Sequence, residues 1–484
     1  MRGETDGIRC ARQLAGHYQR PHLSTGLKER LGMQRIIYMA ASLVLVVGVS
    51  SCGEGGNLGE GEPTGTLAVS LTEAAGTPEE QLGESIFFDE NLSIEQNQSC
   101  ASCHGPEVGW TGPISDINAA GAVYEGSIAG RFGNRKPPSA AYATLSPIFH
   151  LEKKGLFVGG NFWDGRATGE KLGNPAADQA QGPFLNPVEQ GLPDNACVVY
   201  RVCNPVVPAD YPAGFEQVWG AGTCDIIWPA DLDQSCATKG STVSLSDEDR
   251  ARVNADYDLI ALSIETYEAS SEVNAFTSKY DAFLAKAVDF TKEEKKGLNL
   301  FKGKGKCSKC HVLGQGPKDP PLFTDFTFDN LGVPRNPDNP WYTQSAFNPD
   351  GFDWVDKGLG GFLATQLDYA AYAEENLGKQ KVPTLRNVDK RPSPDFVKAF
   401  THNGYFKSLW QVVHFYNTRD VKPTCDDPFT TVEDALAQDC WPEPEVDENV
   451  NTSELGDLKL SAEEEEALVT FMKTLSDGFD IAAP

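Results

Sequence analysis

The 484-residue sequence predicts a mostly α-helical fold in two similar halves, with long loops between the helices. Three observations predict it. Helix-start patterns backed by apolar stripes recur beyond residue 245, and convincing period-2 strands are missing throughout. One Cys-x-x-Cys-His pentad stands in each half, at 100–104 and 307–311, each after a short helical stretch, which reads as a coarse internal repeat.

Residues 1–52 read as an N-terminal extension and export signal rather than as fold. From Met33, one Arg is followed by an apolar run from Ile36 to Val49 and by small residues before Cys52. The run is too short to span a bilayer and has the shape of a secretory signal. Its Val-Ser-Ser-Cys ending resembles a bacterial lipoprotein processing site, which would leave Cys52 as a lipidated first residue in the cell envelope or periplasm. A plain secretion signal with an incidental Cys52 is the alternative. Residues 1–32 carry no pattern and precede a credible start at Met33.

Residues 53–79, rich in Gly, Glu, Thr and Pro, read as a flexible tether. An N-terminal domain is expected over 80–245. It opens with EQLGESIFFD, whose Leu82, Ile86 and Phe87 share one helical face. An insertion at 190–240 carries Cys197, Cys203, Cys224 and Cys236 among turn residues, which in an oxidising compartment form two disulfides stapling a surface segment. Cys425 and Cys440 suggest a third bridge, and the pairing is left open. The C-terminal domain, 246–484, is the more helical. Ser246, Thr291 and Ser461 each precede an acid three residues on, the capping-box pattern of a helix start. Ile260, Ile264 and Tyr267 form one apolar stripe, and Leu468, Phe471, Met472 and Leu475 another.

The formal net charge of −28, without a basic block, excludes a nucleic-acid-binding function and suits a lysine-rich protein partner such as a small soluble cytochrome. Removing residues 1–51 takes away seven Lys/Arg and three Asp/Glu, leaving 34 against 66. The exported chain keeps five histidines (His104, His150, His311, His402, His414) and one methionine, Met472.

Cys-x-x-Cys-His is the attachment signature of c-type haem. The two thiols add across the haem vinyl groups, and the adjacent His reaches the iron. About 0.004 such pentads are expected by chance at this composition, and there are two. Zinc and thioredoxin-like readings of Cys-x-x-Cys fail because each motif ends in His and the chain is exported. Cys100, Cys103, His104 and Cys307, Cys310, His311 are therefore two covalent haem sites. A pure electron carrier would need strong sixth ligands at both irons, which this chain is too poor in His and Met to supply readily; Met472 sits on an apolar stripe and reads as core. At least one iron is expected to keep an open position, where peroxide can bind.

From about residue 80 onward, the sequence resembles the bacterial di-haem cytochrome c peroxidase and MauG superfamily. Beyond the pentads, the resemblance rests on FWDGR (162–166), QAQGPFLNPVE (179–189), FTFDNLGVP (326–334), VPTLRNV (382–388), HNG (402–404) and FYN (415–417). It implies two cytochrome c-like haem domains, hydrogen peroxide reduced at the N-terminal haem, and electrons relayed through the C-terminal one. Trp163 matches the tryptophan between the haems, and Gln179 and Glu189 match the polar pair over the peroxidatic iron.

Two departures carry information. Members that need reductive activation have a distal His roughly 16 residues after the first proximal one. Residues 105–149 here contain no His, so the first haem is expected to rest open unless His150 reaches it. The family's axial Met at the second haem falls at Tyr416, as in MauG-like members; His414 is the alternative ligand. A phenolate is a hard anionic ligand that lowers the potential relative to Met and favours sharing oxidising equivalents between the haems. The electron donor implied is a small cytochrome c or cupredoxin; in a MauG-like enzyme it would instead be side chains of a partner protein. Homodimers and an interdomain calcium are common in the family. The calcium asparagine falls at Lys136, whose ammonium cannot ligate calcium, leaving Asn134 and the carbonyls near Val397 and Ala399.

Overall fold

The computed structural model describes residues 76–482 except 154, 206–210, 212 and 315–319. The expected signal, Cys52 and most of the tether lie outside the described residues. The longer helices of the N-terminal half are α1 (Pro78–Phe88), α2 (Pro175–Leu185), α3 (Asn195–Cys203) and α4 (Asp247–Glu268). Those of the C-terminal half are α5 (Lys292–Lys302), α6 (Leu409–Thr418) and α7 (Ala462–Lys473). Short helical turns and loops connect them. Among the described residues, the strands form two antiparallel pairs, β1 (His150–Leu151) with β2 (Phe157–Val158) and β3 (Phe328–Asp329) with β4 (Gln380–Lys381).

The helix starts follow from capping. Thr77 and Glu80 form a capping box at α1, with Pro78 in the first turn where a missing N–H costs nothing. The tether expected to run to residue 79 therefore ends before Pro78. Ser246 caps α4 by accepting from the Asp249 N–H, and Thr291 and Ser461 form capping boxes at α5 and α7.

Each half is organised by two helices that cross backbone to backbone. A Cβ on Gly83 of α1 would lie 2.0 Å from the carbonyl oxygen of Ser263 in α4. A Cβ on Gly297 of α5 would lie 1.9 Å from that of Ala467 in α7. Only glycine permits either approach. The internal repeat thus extends from the pentads to the packing of the helices. The division expected at residue 245 falls just before α4, whose packing against α1, α2 and α3 ties it to the N-terminal half.

An aromatic cluster fills each crossing. Phe87, Trp110 and Tyr267 meet edge to face with centroids 5.6 to 5.9 Å apart. Phe301, Phe323, Tyr280 and Phe471 make the matching cluster in the C-terminal half. Phe149 and Phe157 of the N-terminal half pack with Phe328, Leu359 and Leu363 of the other, sealing the two together.

The span 190–240 is not wholly a surface insertion. Within it α3 buries Ala196, Cys197, Val198, Val199 and Val202 and packs on α4, because its apolar face continues the core. The segment that follows is tied back to this helix by Cys197–Cys236 and Cys203–Cys224. Cys425–Cys440 is the third bridge.

Gly297→Ala and Gly83→Ala should each force a helix pair apart and cost about 3 kcal/mol. Gly214→Ala, whose Cβ meets nothing within 4 Å, serves as the control. Thermal unfolding of the haem-loaded protein measures all three, and equal melting temperatures would show that the crossings are not tight.

Candidate functional site

The two pentads are built alike. In the first, the chain turns so that the N–H groups of Cys103 and His104 both donate to the Cys100 carbonyl, at 3.1 and 3.0 Å. In the second, the His311 N–H donates to the Cys307 carbonyl at 2.9 Å. Cys100, Cys103, Cys307 and Cys310 are unbridged, whereas the other six described cysteines all form disulfides. His104 Nδ1 lies 3.2 Å from the Trp110 carbonyl, and His311 Nδ1 lies 2.8 Å from that of Phe323. A carbonyl only accepts, so each Nδ1 carries the proton and leaves the Nε2 lone pair for a metal. Burial pulls His104 down to about 4, partly offset by its hydrogen bond to Trp110, and burial also lowers His311. Paired free thiols beside a neutral, oriented imidazole fit covalent haem at both sites.

The first pentad opens on a cavity whose wall brings together Cys100, Cys103, His104, Trp163, Gln179 and Glu189. His104 is the single histidine lining it among the described residues. Gln179 lies on α2, and Glu189 follows the turn that ends this helix. Asn186, the C-cap of α2, donates its amide to Glu189 Oε1 at 2.9 Å. Burial raises Glu189, against the opposing pull of Arg166 and the Asn186 bond. Trp163 is buried; its indole N–H donates to the Lys136 carbonyl at 2.9 Å, and its own carbonyl accepts from the Lys381 N–H at 2.7 Å. Next to it, Asp164 pairs with Arg135 at 2.7 Å and Arg166 at 2.8 Å. Burial pushes Asp164 up, but the two guanidiniums outweigh it and hold the carboxyl below its ordinary value.

At the second pentad, α6 separates the two candidate ligands. Residues 414 and 416 lie on nearly opposite helix faces, since two positions turn the helix by about 200°. Burial and then the nearby thiols of Cys307 and Cys310 raise the Tyr416 phenol, which lies close to this pentad. His414 points the other way: Nδ1 lies 3.0 Å from Glu465 Oε1, and the ring stacks on Trp410. His150 is half exposed on the β1–β2 hairpin, bonded to Ile148 and Glu152, and does not line the cavity. His402 is buried against Glu445 at 3.0 Å, and Met472 packs in the core of the C-terminal half.

The residues at the expected calcium position do not fit a metal ion. The Lys136 ammonium stands there and donates to Thr111 Oγ1 and the Pro137 carbonyl, both at 2.8 Å. The Val397 carbonyl already accepts the Asn118 amide at 3.1 Å, and the Asn134 carbonyl that of Asn339 at 3.0 Å.

Comparisons with known proteins agree with this geometry. The family described as di-haem cytochrome c peroxidase matches residues 77–289. The methylamine utilization protein MauG of Paracoccus denitrificans is 34% identical over 418 residues, covering 84% of this chain and 93% of that one. The chain belongs to the di-haem cytochrome c peroxidase and MauG family. It is also 26% identical to the cytochrome-c peroxidase IdrP2 of Pseudomonas sp. strain SCT, with 90% of each chain covered. The crystal structure of the diheme peroxidase BthA from Burkholderia thailandensis superposes with a TM-score of 0.62 at 26% identity, over 83% of this chain and 87% of that one. This protein is accordingly a di-haem, peroxide-dependent oxidoreductase.

One group in the wall of this di-haem peroxidase escaped the sequence reading. Glu268 lines the first cavity close to Cys100 and is only 4% exposed. The signal was present: it stands four residues after Ile264, on the stripe that α4 buries. Burial, with a contribution from Glu265, raises Glu268 from 4.5 to about 8. A carboxyl raised on folding stabilises the protein below its unfolded value and loses that contribution as pH climbs through its folded value. Glu268→Gln should therefore gain stability over the parent between pH 5 and pH 8.5, by of order 4 kcal/mol. Melting curves of the two holoproteins that stay parallel across this range would refute the assignment.

Proposed function

We propose that this family member is an exported enzyme, anchored through a lipidated Cys52, that reduces hydrogen peroxide at the N-terminal haem with electrons relayed through the C-terminal haem from a protein donor. The observation that carries the reading is the first cavity: His104 with Gln179, Glu189 and Trp163 in the same wall and, among the described residues, no second histidine. Covalent haem, held by Cys100 and Cys103 with His104 and by Cys307 and Cys310 with His311, supplies the redox centres. The overall reaction consumes one peroxide, two protons and two electrons and yields two waters.

Within it, the chain's own groups have separable tasks. The Gln179 amide orients the peroxide. Glu189 takes the proton from one peroxide oxygen and returns it to the other, so that water departs as the O–O bond breaks. Its raised value suits both halves of that transfer, because a shuttle works best near the operating pH. Trp163, which donates to the Lys136 carbonyl and accepts from the Lys381 N–H, is the conduit towards the C-terminal half. Glu189→Gln should lower kcat/KM for peroxide about 10²–10⁴-fold while leaving the haem spectra of the resting protein unchanged. An unchanged rate would remove Glu189 from the mechanism.

The nearness of Tyr416 to the second pentad favours a second reading, in which the electrons come from side chains of a partner protein, as a MauG-like oxidation. As a hard anionic ligand, the Tyr416 phenolate would lower the potential of the second haem relative to Met and so favour sharing oxidising equivalents between the haems until the partner docks. Stoichiometric peroxide added to the all-ferric holoprotein without donor distinguishes the cases. Rapid, long-lived loss of both ferric EPR signals supports the MauG-like reading; reaction only after one-electron reduction supports a reductively activated peroxidase. Tyr416→Phe should change the absorption and potential of the second haem, and His414→Phe should not. The reverse result would make His414 the ligand.

A further inference from the structure

Two lysines are buried at the junction of the halves, and among the described residues neither forms an ion pair with a carboxylate. Lys136 is 7% exposed and Lys398 5%. Lys136 has four hydrogen bonds that join three parts of the molecule. Its backbone N–H donates to the His402 carbonyl at 2.8 Å, in the C-terminal half. Its carbonyl accepts the Trp163 indole at 2.9 Å. Its amine reaches Thr111 and Pro137, and the Thr111 carbonyl in turn accepts the N–H of Gly105, the residue after His104. Lys398 mirrors it from the C-terminal half: its amine donates to the carbonyls of Val108, Asn387 and Lys390 at 2.8, 2.7 and 3.1 Å. The two lysines thus bolt the loop behind His104 to the C-terminal half from both sides.

We infer that the Lys136 ammonium is a tethered replacement for a bound divalent cation at this junction, which positions Trp163 and the His104 loop without calcium. A calcium ion needs six to eight oxygen ligands, usually with carboxylates among them. The hydroxyl and carbonyl oxygens that the two amines reach are neutral and already accept their hydrogen bonds, and an arriving ion would meet the Lys136 ammonium in a medium of low dielectric. A covalently held amine supplies its charge without an equilibrium with free metal, so the joint does not depend on calcium supply. The inference does not depend on the role proposed for Trp163 in electron transfer.

The test uses the haem-loaded full chain. After equilibration with 1 mM calcium and gel filtration, elemental analysis should find less than about one calcium per ten chains. Melting temperatures in calcium and in EGTA should coincide. Near-stoichiometric calcium whose removal lowers the melting temperature would overturn the inference. Lys136→Met supplies the second arm, at pH 6, below the value of about 7 to which burial pulls the amine. Loss of the buried charge should lower the reduction potential of the N-terminal haem, a change that a merely space-filling side chain would not produce. An unchanged potential would equally overturn the proposal. Should that variant fail to fold, the calcium measurements on the parent protein still decide.

Discussion

Two backbone carbonyls, those of Trp110 and Phe323, fix the orientation of the two pentad imidazoles. Each holds the Nδ1–H of a proximal histidine and so aims Nε2 in one direction. Both residues adopt left-handed backbone conformations, with φ of 61° and 53°. For a bulky aromatic residue that conformation costs roughly 1–3 kcal/mol. The cost is borne by the aromatic clusters in which Trp110 and Phe323 are packed, and these clusters sit where the helices of each half cross. Helix crossing, strained carbonyl and imidazole orientation therefore form one chain of dependence, present twice.

The halves then diverge in what lies beside each pentad. In the N-terminal half the far wall comes from α2 and the turn after it, which place an amide and a carboxylate in a cavity with room for a small substrate. In the C-terminal half α6 brings Tyr416 to the pentad and turns His414 away to Glu465. The same scaffold thereby presents two different sets of side chains beside its two pentads, and the difference lies in side chains rather than topology. In the wall of the first cavity, Trp163 is fixed by main-chain partners, so its position depends on how Lys136 and Lys381 are themselves held.

Much of the helical framework could be read from local chemistry. Thr291–Glu294 and Ser461–Glu464 marked helix starts because capping is decided within one turn. The stripe of Leu82, Ile86 and Phe87 marked a buried face because the period is local too. Other features could not be read in this way. Nothing in the spacing of Cys197, Cys203, Cys224 and Cys236 selects their pairing, which depends on α3 lying against α4. For the same reason α3 reads as part of an insertion, although its valines complete the core. Glu268 was overlooked because an acid on an apolar stripe is ordinarily a tolerated exception, and only the cavity behind it shows that it faces one.

The sequence by itself determined the haem attachment, the two-fold repeat and the poverty of axial ligands, because each depends on residue type and short-range order. Tertiary structure alone set Tyr416 near the second pentad and His414 against Glu465, kept His150 out of the first cavity and gave the Lys136 amine its partners in Thr111 and Pro137. Those outcomes depend on which segments, remote in sequence, come within bonding distance, and a linear spacing carries no information about that.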